Sequence, residues 1–321
     1  MAKATRSATA RKSTPAAEEK PAYPQLPDGN VHASFREQSY TSQDGLRLVY
    51  SHYGPRRSER TPVICLAGLT RNARDFHELA SWLATVPGYE RRVIVPDYRG
   101  RGRSEYDRNW ENYSLAVELQ DVLDLLTTLD IERAIFIGTS RGGLISMLLG
   151  AARPGAIAGV LLNDIGPVIE PQGLLRIRQY MRERPAARGW DEAADALKRM
   201  WSALYPKLSD EEWGAMAHKI YRDANGRIMP DYDPNLLKPL EGLDLDKAGP
   251  PLWAQFATLS HVSVLCLRGE NSDILAPKTV SEMRQHHPDF ESATIPDSGH
   301  APLLIEMPVL RLIAGFAAHC G

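Results

Sequence analysis

Residues 134–143 read AIFIGTSRGG: an apolar run leaves through a glycine, places a serine at the bend, and continues through arginine into two glycines. Consecutive apolar residues of this kind predict a strand covered on both faces. The next residues, GLISMLLGAA (143–152), are compatible with a helix. Gly138-Thr139-Ser140-Arg141-Gly142 therefore sits between strand and helix, the setting in which a Gly-x-Ser-x-Gly turn exposes a nucleophilic serine on a strained backbone. Glycines two residues to either side fit that geometry, because a Cβ there would meet neighbouring backbone. Taken alone, the five residues also fit a tight turn with an incidental serine. What decides between the readings is whether the rest of the chain supplies a base and an acid.

Outward from this stretch, further short apolar runs predict strands at 46–53, 62–67, 91–97, 159–164 and 262–269, with another near residue 293. Helical patterns lie between them at 72–84, 114–130 and 303–319. In the second, Leu115, Leu119, Val122, Leu123, Leu126 and Leu129 recur at helical spacing. Strands alternating with helices imply a mostly parallel sheet flanked on both sides by helices. The alternation lapses between about 167 and 260, where helical text (GLLRIRQYMRER, WDEAADALKRMWSALY, DEEWGAMAHKIYR) replaces long buried strands. The expected organisation is a tail over 1–28, a core over 29–166 and 261–321, and a mainly helical insertion over 167–260.

Composition narrows the function classes. The 321 residues are 43% hydrophobic and 24% charged with a net charge of -2, an ordinary globular balance that offers no overall attraction to nucleic acid or an anionic membrane. No apolar run approaches the roughly 18–20 residues that span a bilayer. Residues 1–28, rich in Ala, Ser, Thr, Lys and Pro, lack the apolar segment of a secretory signal and read as a solvated tail. Because 1–17 are basic and free of acids, a transit-peptide reading stays open. Cys65 and Cys266 fall inside strand-like runs and read as buried inert thiols; with Cys320 they show no metal spacing. A cytoplasmic protein is expected, with neither metal nor organic cofactor.

A serine hydroxyl is a poor nucleophile without a base, and the base needs an orienting acid. Of the nine histidines, His52, His77, His286, His287 and His319 have ordinary settings. His300, in PDSGHAPLL, follows a late strand and precedes an amphipathic run, which places it in a loop at the carboxyl edge of the sheet where ligands of open α/β folds bind. For the acid, two positions follow strands. Asp273 lies four residues beyond the glycine ending VLCLRG, far enough to turn back toward the histidine loop, while Glu270 braces that turn. Asp164 ends the strand after the nucleophile helix. Asp273 is preferred, giving the chain order Ser140, Asp273, His300.

With these residues in place, the chain resembles the α/β-hydrolase superfamily, in its capped, esterase-like branch, over residues 34–318. The resemblance implies a mostly parallel eight-stranded α/β sheet flanked by helices, with a helical lid inserted after the sixth strand. It implies an oxyanion hole made by the backbone N–H groups of Leu69 and Arg141. Where the family commonly carries His-Gly, this chain has Ala67-Gly68-Leu69-Thr70-Arg71, which leaves main-chain donors unaffected. Asp97-Tyr98-Arg99-Gly100-Arg101-Gly102-Arg103-Ser104 resembles the family's Asp-x-Arg-Gly-x-Gly-x-Ser turn, and its charges read as structural; no Lys-Ser/Thr follows in phosphate-loop spacing. Thr70 and the lid residues Tyr180 and Trp201 are the expected pocket residues. The implied activity is serine-dependent hydrolysis of a small, largely apolar carboxylic ester or lactone. Hydrolysis of carbon–carbon bonds in vinylogous diketones, perhydrolysis by the same residues, and a non-enzymatic ligand receptor are the alternatives. The side chain of Arg141 has no assigned role at this level.

Overall fold

Strands that are apolar at every position have nowhere to go but the centre of a sheet covered on both faces. In the computed structural model, which describes residues 23–183, 186–242, 244 and 249–321, the runs predicted from the sequence become strands of one sheet. They form β2 (Arg47–Tyr53), β3 (Val63–Leu66), β4 (Val93–Pro96), β5 (Ala134–Thr139), β6 (Ile157–Asn163), β9 (Ser263–Gly269) and β10 (Phe290–Ile295). With β1 (Phe35–Thr41) they make one eight-stranded sheet in the order β1-β2-β4-β3-β5-β6-β9-β10. From β4 to β10 every neighbouring pair is parallel; β2 runs antiparallel to both β1 and β4. β1 (FREQSYT) is mostly exposed at the sheet edge, where charged residues discourage edge-to-edge pairing, so no apolar run announces it.

Helices α1 (His77–Thr85), α2 (Leu115–Thr128), α3 (Arg141–Ala152), α9 (Pro277–His286) and α10 (Met307–His319) join and flank these strands. α10 starts later than its apolar text, because Pro308 occupies its first turn, where a missing N–H costs nothing. In α2, capped by Ser114, the buried face runs through Glu118, Asp121, Val122, Leu125 and Leu126. The helix is thus rotated from the leucine face expected from periodicity: Leu115, Leu119, Leu123 and Leu129 are only partly buried, and two carboxylates face inward.

Between β6 and β9 lie α4 (Pro171–Glu183), α5 (Trp190–Trp201), α6 (Asp210–Ile220), α7 (Lys238–Glu241), α8 (Trp253–Ala257) and a small hairpin, β7 (Tyr221–Asp223) with β8 (Ile228–Pro230). The hairpin turns through Asn225 and Gly226, both at positive φ, a pairing that suits a tight two-residue turn. The last residue of the GLLRIRQYMRER run, 184, lies outside the described residues. This insertion has its own hydrophobic cluster around Leu197, Trp201, Tyr205, Trp213, Met216 and Ile220, separate from the sheet core.

Residues 1–22 of the expected tail lie outside the described residues. Residues 23–28 correct its boundary. Tyr23 packs edge-on against Phe316 at 5.7 Å, and Asp28 pairs with Arg311 at 3.0 Å, so this largely exposed stretch touches α10 at both ends.

Candidate active site

The strand–turn–helix at residues 134–143 fixes the site. Ser140 has φ 51° and ψ -111°, left-handed backbone that a non-glycine residue adopts only where its surroundings enforce it. Two features enforce it here. The Ser140 N–H donates to the Asn163 carbonyl at 3.0 Å, and α3 crosses so close to β3 that a Cβ on Gly142 would lie 2.1 Å from the Leu66 carbonyl oxygen. The glycine spacing of the sequence is therefore a steric requirement of this crossing.

His300 lies beyond β10 and meets the serine directly: its Nε2 is 2.9 Å from Ser140 Oγ. Its Nδ1 is 2.7 Å from Oδ2 of Asp164. A carboxylate only accepts, so Nδ1 carries the hydrogen and Nε2 is left to accept the serine proton. The carboxylate hydrogen-bonded to His300 is that of Asp164, not that of Asp273 expected from the sequence. Asp164 is fully buried just past β6, at φ 56°, where its Oδ1 accepts from the Gly269 N–H at 2.7 Å and its Oδ2 from the Ser272 hydroxyl at 2.6 Å. The loop after β9 thus braces the Asp164 carboxylate. Asp273 turns toward α4, where Arg176 grips it with two hydrogen bonds of 2.6 and 2.9 Å. Burial pushes the Asp273 carboxyl up, but this guanidinium outweighs it and holds the group below the usual carboxylate range. Glu270 accepts from the Asp297 N–H, bracing the turn ahead of His300.

The loop after β3 passes beside the serine, with the position of a Cβ on Gly68 only 3.9 Å from Ser140 Cβ. Leu69 and Thr70 line the cavity that opens onto Ser140 and His300, and Arg141 begins α3, where the first-turn N–H groups have no partner inside the helix. Tyr180 and Trp201 line the same cavity from the insertion. The Thr70 and Tyr180 hydroxyls are hydrogen-bonded at 2.7 Å, and the Trp201 ring meets Tyr180 edge-on at 5.7 Å.

Two further residues also shape the site: Asn163, without a role in the sequence reading, and Tyr205, one of the insertion's aromatic residues, which lines the cavity. Asn163 donates to Thr139 Oγ1 at 3.0 Å and to the Pro302 carbonyl at 3.1 Å, joining the nucleophile strand to the histidine loop. Tyr205 donates to the Ala301 carbonyl at 2.9 Å, fastening that loop to the insertion. Asn163 carries no sequence signal beyond its position at a strand end, whereas Tyr205 is legible as an aromatic residue of the helical insertion.

The turn at 97–104 holds Asp97, Arg99 and Arg101 inside the protein, while Arg103 is exposed. Asp97 accepts from the Ala73 and Arg103 N–H groups, and burial pushes its carboxyl up to about 6. Arg99 is bound by Asp44, Asp107 and Asp121. Among the described residues, no three His, Cys, Asp or Glu side chains gather as a metal ion would require. No helix among them is long and apolar enough to cross a membrane.

A parallel sheet with a serine on the β5–α3 turn, facing a histidine and a buried aspartate, is the architecture of one hydrolase class, and comparison with known proteins agrees. The alpha/beta hydrolase family model matches residues 63–314, and the chain belongs to that family. It is 32% identical over 279 residues to the 3-hydroxybutyrate-oligomer hydrolase of Cupriavidus necator, covering 84% of this chain and 92% of the relative. An alpha/beta hydrolase from Novosphingobium aromaticivorans superposes with a TM-score of 0.83 at 39% identity, over 90% of this chain and 99% of the other. The E-2-(acetamidomethylene)succinate hydrolase structure shares the fold, at 20% identity and a TM-score of 0.70 over 88% and 97% of the two chains.

Proposed function

We propose that the protein is a serine carboxylic-ester hydrolase acting through Ser140, His300 and Asp164 on short esters of hydroxyalkanoic acids. The observation that carries the reading is the unbroken hydrogen-bonded chain from Ser140 Oγ through both nitrogens of His300 to Asp164, opening onto a cavity. Ser140 Oγ attacks the ester carbonyl carbon while His300 Nε2 takes its proton and the carbonyl π pair moves onto oxygen. The backbone N–H groups of Leu69 and Arg141 receive that oxyanion. Collapse expels the alkoxide, which takes the proton from His300, and an acyl-serine remains. Water, deprotonated by the same imidazole, attacks the acyl carbon and releases the acid and the serine. Asp164 keeps the imidazole in the tautomer that faces the serine and stabilises the imidazolium formed at each step.

The cavity supports a substrate with both apolar and polar parts. Ile177, Met216 and Leu304 contribute apolar wall, while Arg71, paired with Asp75, and Arg176, paired with Asp273, contribute fixed polar groups. Short hydroxyalkanoate esters have this mixed character, and the substrate named for the Cupriavidus necator relative points the same way. The insertion over 167–260 acts in this reading as a lid that brings Tyr180 and Trp201 over the serine.

The test is a substrate panel containing p-nitrophenyl butyrate, linear 3-hydroxybutyrate dimer and trimer, a matched lactone, and a vinylogous diketone. Turnover of the linear esters is expected, with a fluorophosphonate probe labelling Ser140. Ser140→Ala should lose at least about 10,000-fold in kcat and all labelling. Ester turnover that survives in Ser140→Ala overturns the mechanism. Preferential cleavage of the diketone overturns the substrate class.

A further inference from the structure

Two features stand outside the proposed reaction: the arginine-rich turn 99–103 and the side chain of Arg141 beside the nucleophile. They meet at one buried carboxylate. Glu118, fully buried on α2, accepts from Arg101 Nη1 at 2.7 Å with one oxygen and from Arg141 Nε with the other. Arg101, also fully buried, donates through Nε to the Leu69 carbonyl at 2.8 Å and through Nη1 to the Arg99 carbonyl at 2.7 Å. Arg141 donates a further bond to the Tyr113 carbonyl at 3.2 Å. The Tyr98 and Tyr113 rings lie 5.6 and 5.8 Å from the Arg101 guanidinium, within cation–π range.

The continuous path is Leu69 carbonyl, Arg101, Glu118, Arg141. Its two ends are the two residues whose backbone N–H groups receive the oxyanion in the proposed reaction. We propose that Glu118 and Arg101 are positioning residues that set the spacing between the Leu69 and Arg141 N–H donors. The physical argument is geometric. The Leu69 loop and the start of α3 are separated by some seventy residues of chain, so no local turn fixes the distance between them. Oxyanion stabilisation depends on donors placed near 2.7–3.1 Å from an atom that exists only transiently, so their mutual distance must be fixed beforehand. A planar guanidinium gripping one loop through its carbonyl, and a carboxylate shared with the other segment, provide that constraint with little rotamer freedom. Glu118 is one buried carboxylate facing two arginines, Arg101 fully buried and Arg141 partly exposed, so the cluster carries a net positive charge. Such an arrangement is costly to bury and is not what packing by itself selects.

The inference rests on the oxyanion hole of the proposed reaction, and its test separates the two. Glu118→Gln keeps the shape but offers one accepting oxygen where two are needed. Kinetics are normalised to active sites titrated with a fluorophosphonate, so that misfolded protein does not count. The expected result is a fall of about 10- to 100-fold in kcat per site, smaller than the roughly 100- to 1,000-fold loss on deleting a whole donor, with KM within about threefold. Affinity for a trifluoromethyl ketone, which forms the tetrahedral oxyanion covalently, should fall in parallel with kcat/KM. Arg141→Met, which removes one arm and keeps the Arg101–Glu118 pair, should show a smaller loss of the same kind, and it serves where Glu118→Gln fails to fold. Arg91→Met is the control. Arg91 is another buried guanidinium, bonded to the Thr61 and Gly321 carbonyls, and its removal should lower thermal stability while leaving kcat per site within about threefold. Unchanged kcat per site in both Glu118→Gln and Arg141→Met, a loss confined to KM, or an equal loss in Arg91→Met overturns the proposal. A wild-type protein that forms no covalent adduct and turns over no ester overturns the underlying reaction as well.

Discussion

Asp164 begins the loop after β6 and Asp273 lies in the loop after β9, and the two differ in what holds each carboxylate. Asp164 shares its oxygens among His300, the Gly269 N–H and the Ser272 hydroxyl. Asp273 spends both oxygens on Arg176. A carboxylate already neutralised by a guanidinium has little left to stabilise an imidazolium. Asp164→Asn is therefore expected to lower kcat by about three to four orders of magnitude, because an amide at this position favours the wrong histidine tautomer. Asp273→Asn should cost no more than about tenfold, chiefly through the loosened Arg176 on the cavity wall. Steady-state kinetics of the two variants on one p-nitrophenyl ester decide the matter. The reverse ranking would restore Asp273 as the acid. The sequence reading prefers Asp273 on its spacing, with Asp164 visible as a strand-ending rival, because spacing along the chain does not report which carboxylate a distant arginine captures.

At the scale of elements, the elbow was the most legible part of the chain. Its glycines are required because α3 presses on β3 and β5. The close approach at Gly142 is to backbone, which cannot swing aside as a side chain would. Gly142→Ala is expected to destabilise the fold by about 2 kcal/mol or more and to remove activity together with the serine's conformation. Urea denaturation checks this, and a variant with unchanged midpoint and full activity would refute the steric account. α2 shows the opposite case. Its leucines predicted one buried face, and the structure turns Glu118 and Asp121 inward because Arg101, Arg141 and Arg99 wait there. Hydropathy counts a carboxylate as surface wherever it lies and takes no account of a cation contributed by another element. The edge strand β1 escaped for a related reason: with its residues largely exposed, it has strand geometry without a strand's apolar signature.

Over the whole molecule, the insertion is joined to the core through polar contacts as well as apolar ones. Asp233 donates its N–H to the Gly100 carbonyl at 2.8 Å and bonds the Tyr113 hydroxyl, Arg74 pairs with Asp231 at 2.7 Å, and Lys219 pairs with Glu78 at 2.6 Å. The same turn that carries Arg101 therefore helps to anchor the insertion. Global stability should also register one buried histidine of the core. His52, in β2, is pushed down to about 4 by burial and by Arg92 and Arg36. Its folded pKa lies below the unfolded value near 6.5, so as pH falls the unfolded chain takes up this proton before the native state does. The stability contributed by neutral His52 is complete above about 6.5 and is lost as pH drops toward 4. In urea melts at pH 7 and pH 4.5, the stability difference between wild type and His52→Gln should shift by roughly 2 kcal/mol in favour of the variant at the lower pH. A difference that does not change with pH would contradict the assignment.

The sequence by itself determined the buried strands of the sheet, the elbow with its serine, and the histidine loop, because these depend on local patterns: runs of apolar residues, glycines at fixed offsets, and position after a strand. The tertiary structure alone decided which aspartate meets His300, what Arg141 is paired with, and which face of α2 is buried. Each of these turns on a charge meeting its partner from a distant part of the chain. Burial of an ionised group is tolerated only where such a partner is already in place, and no local pattern records who that partner is.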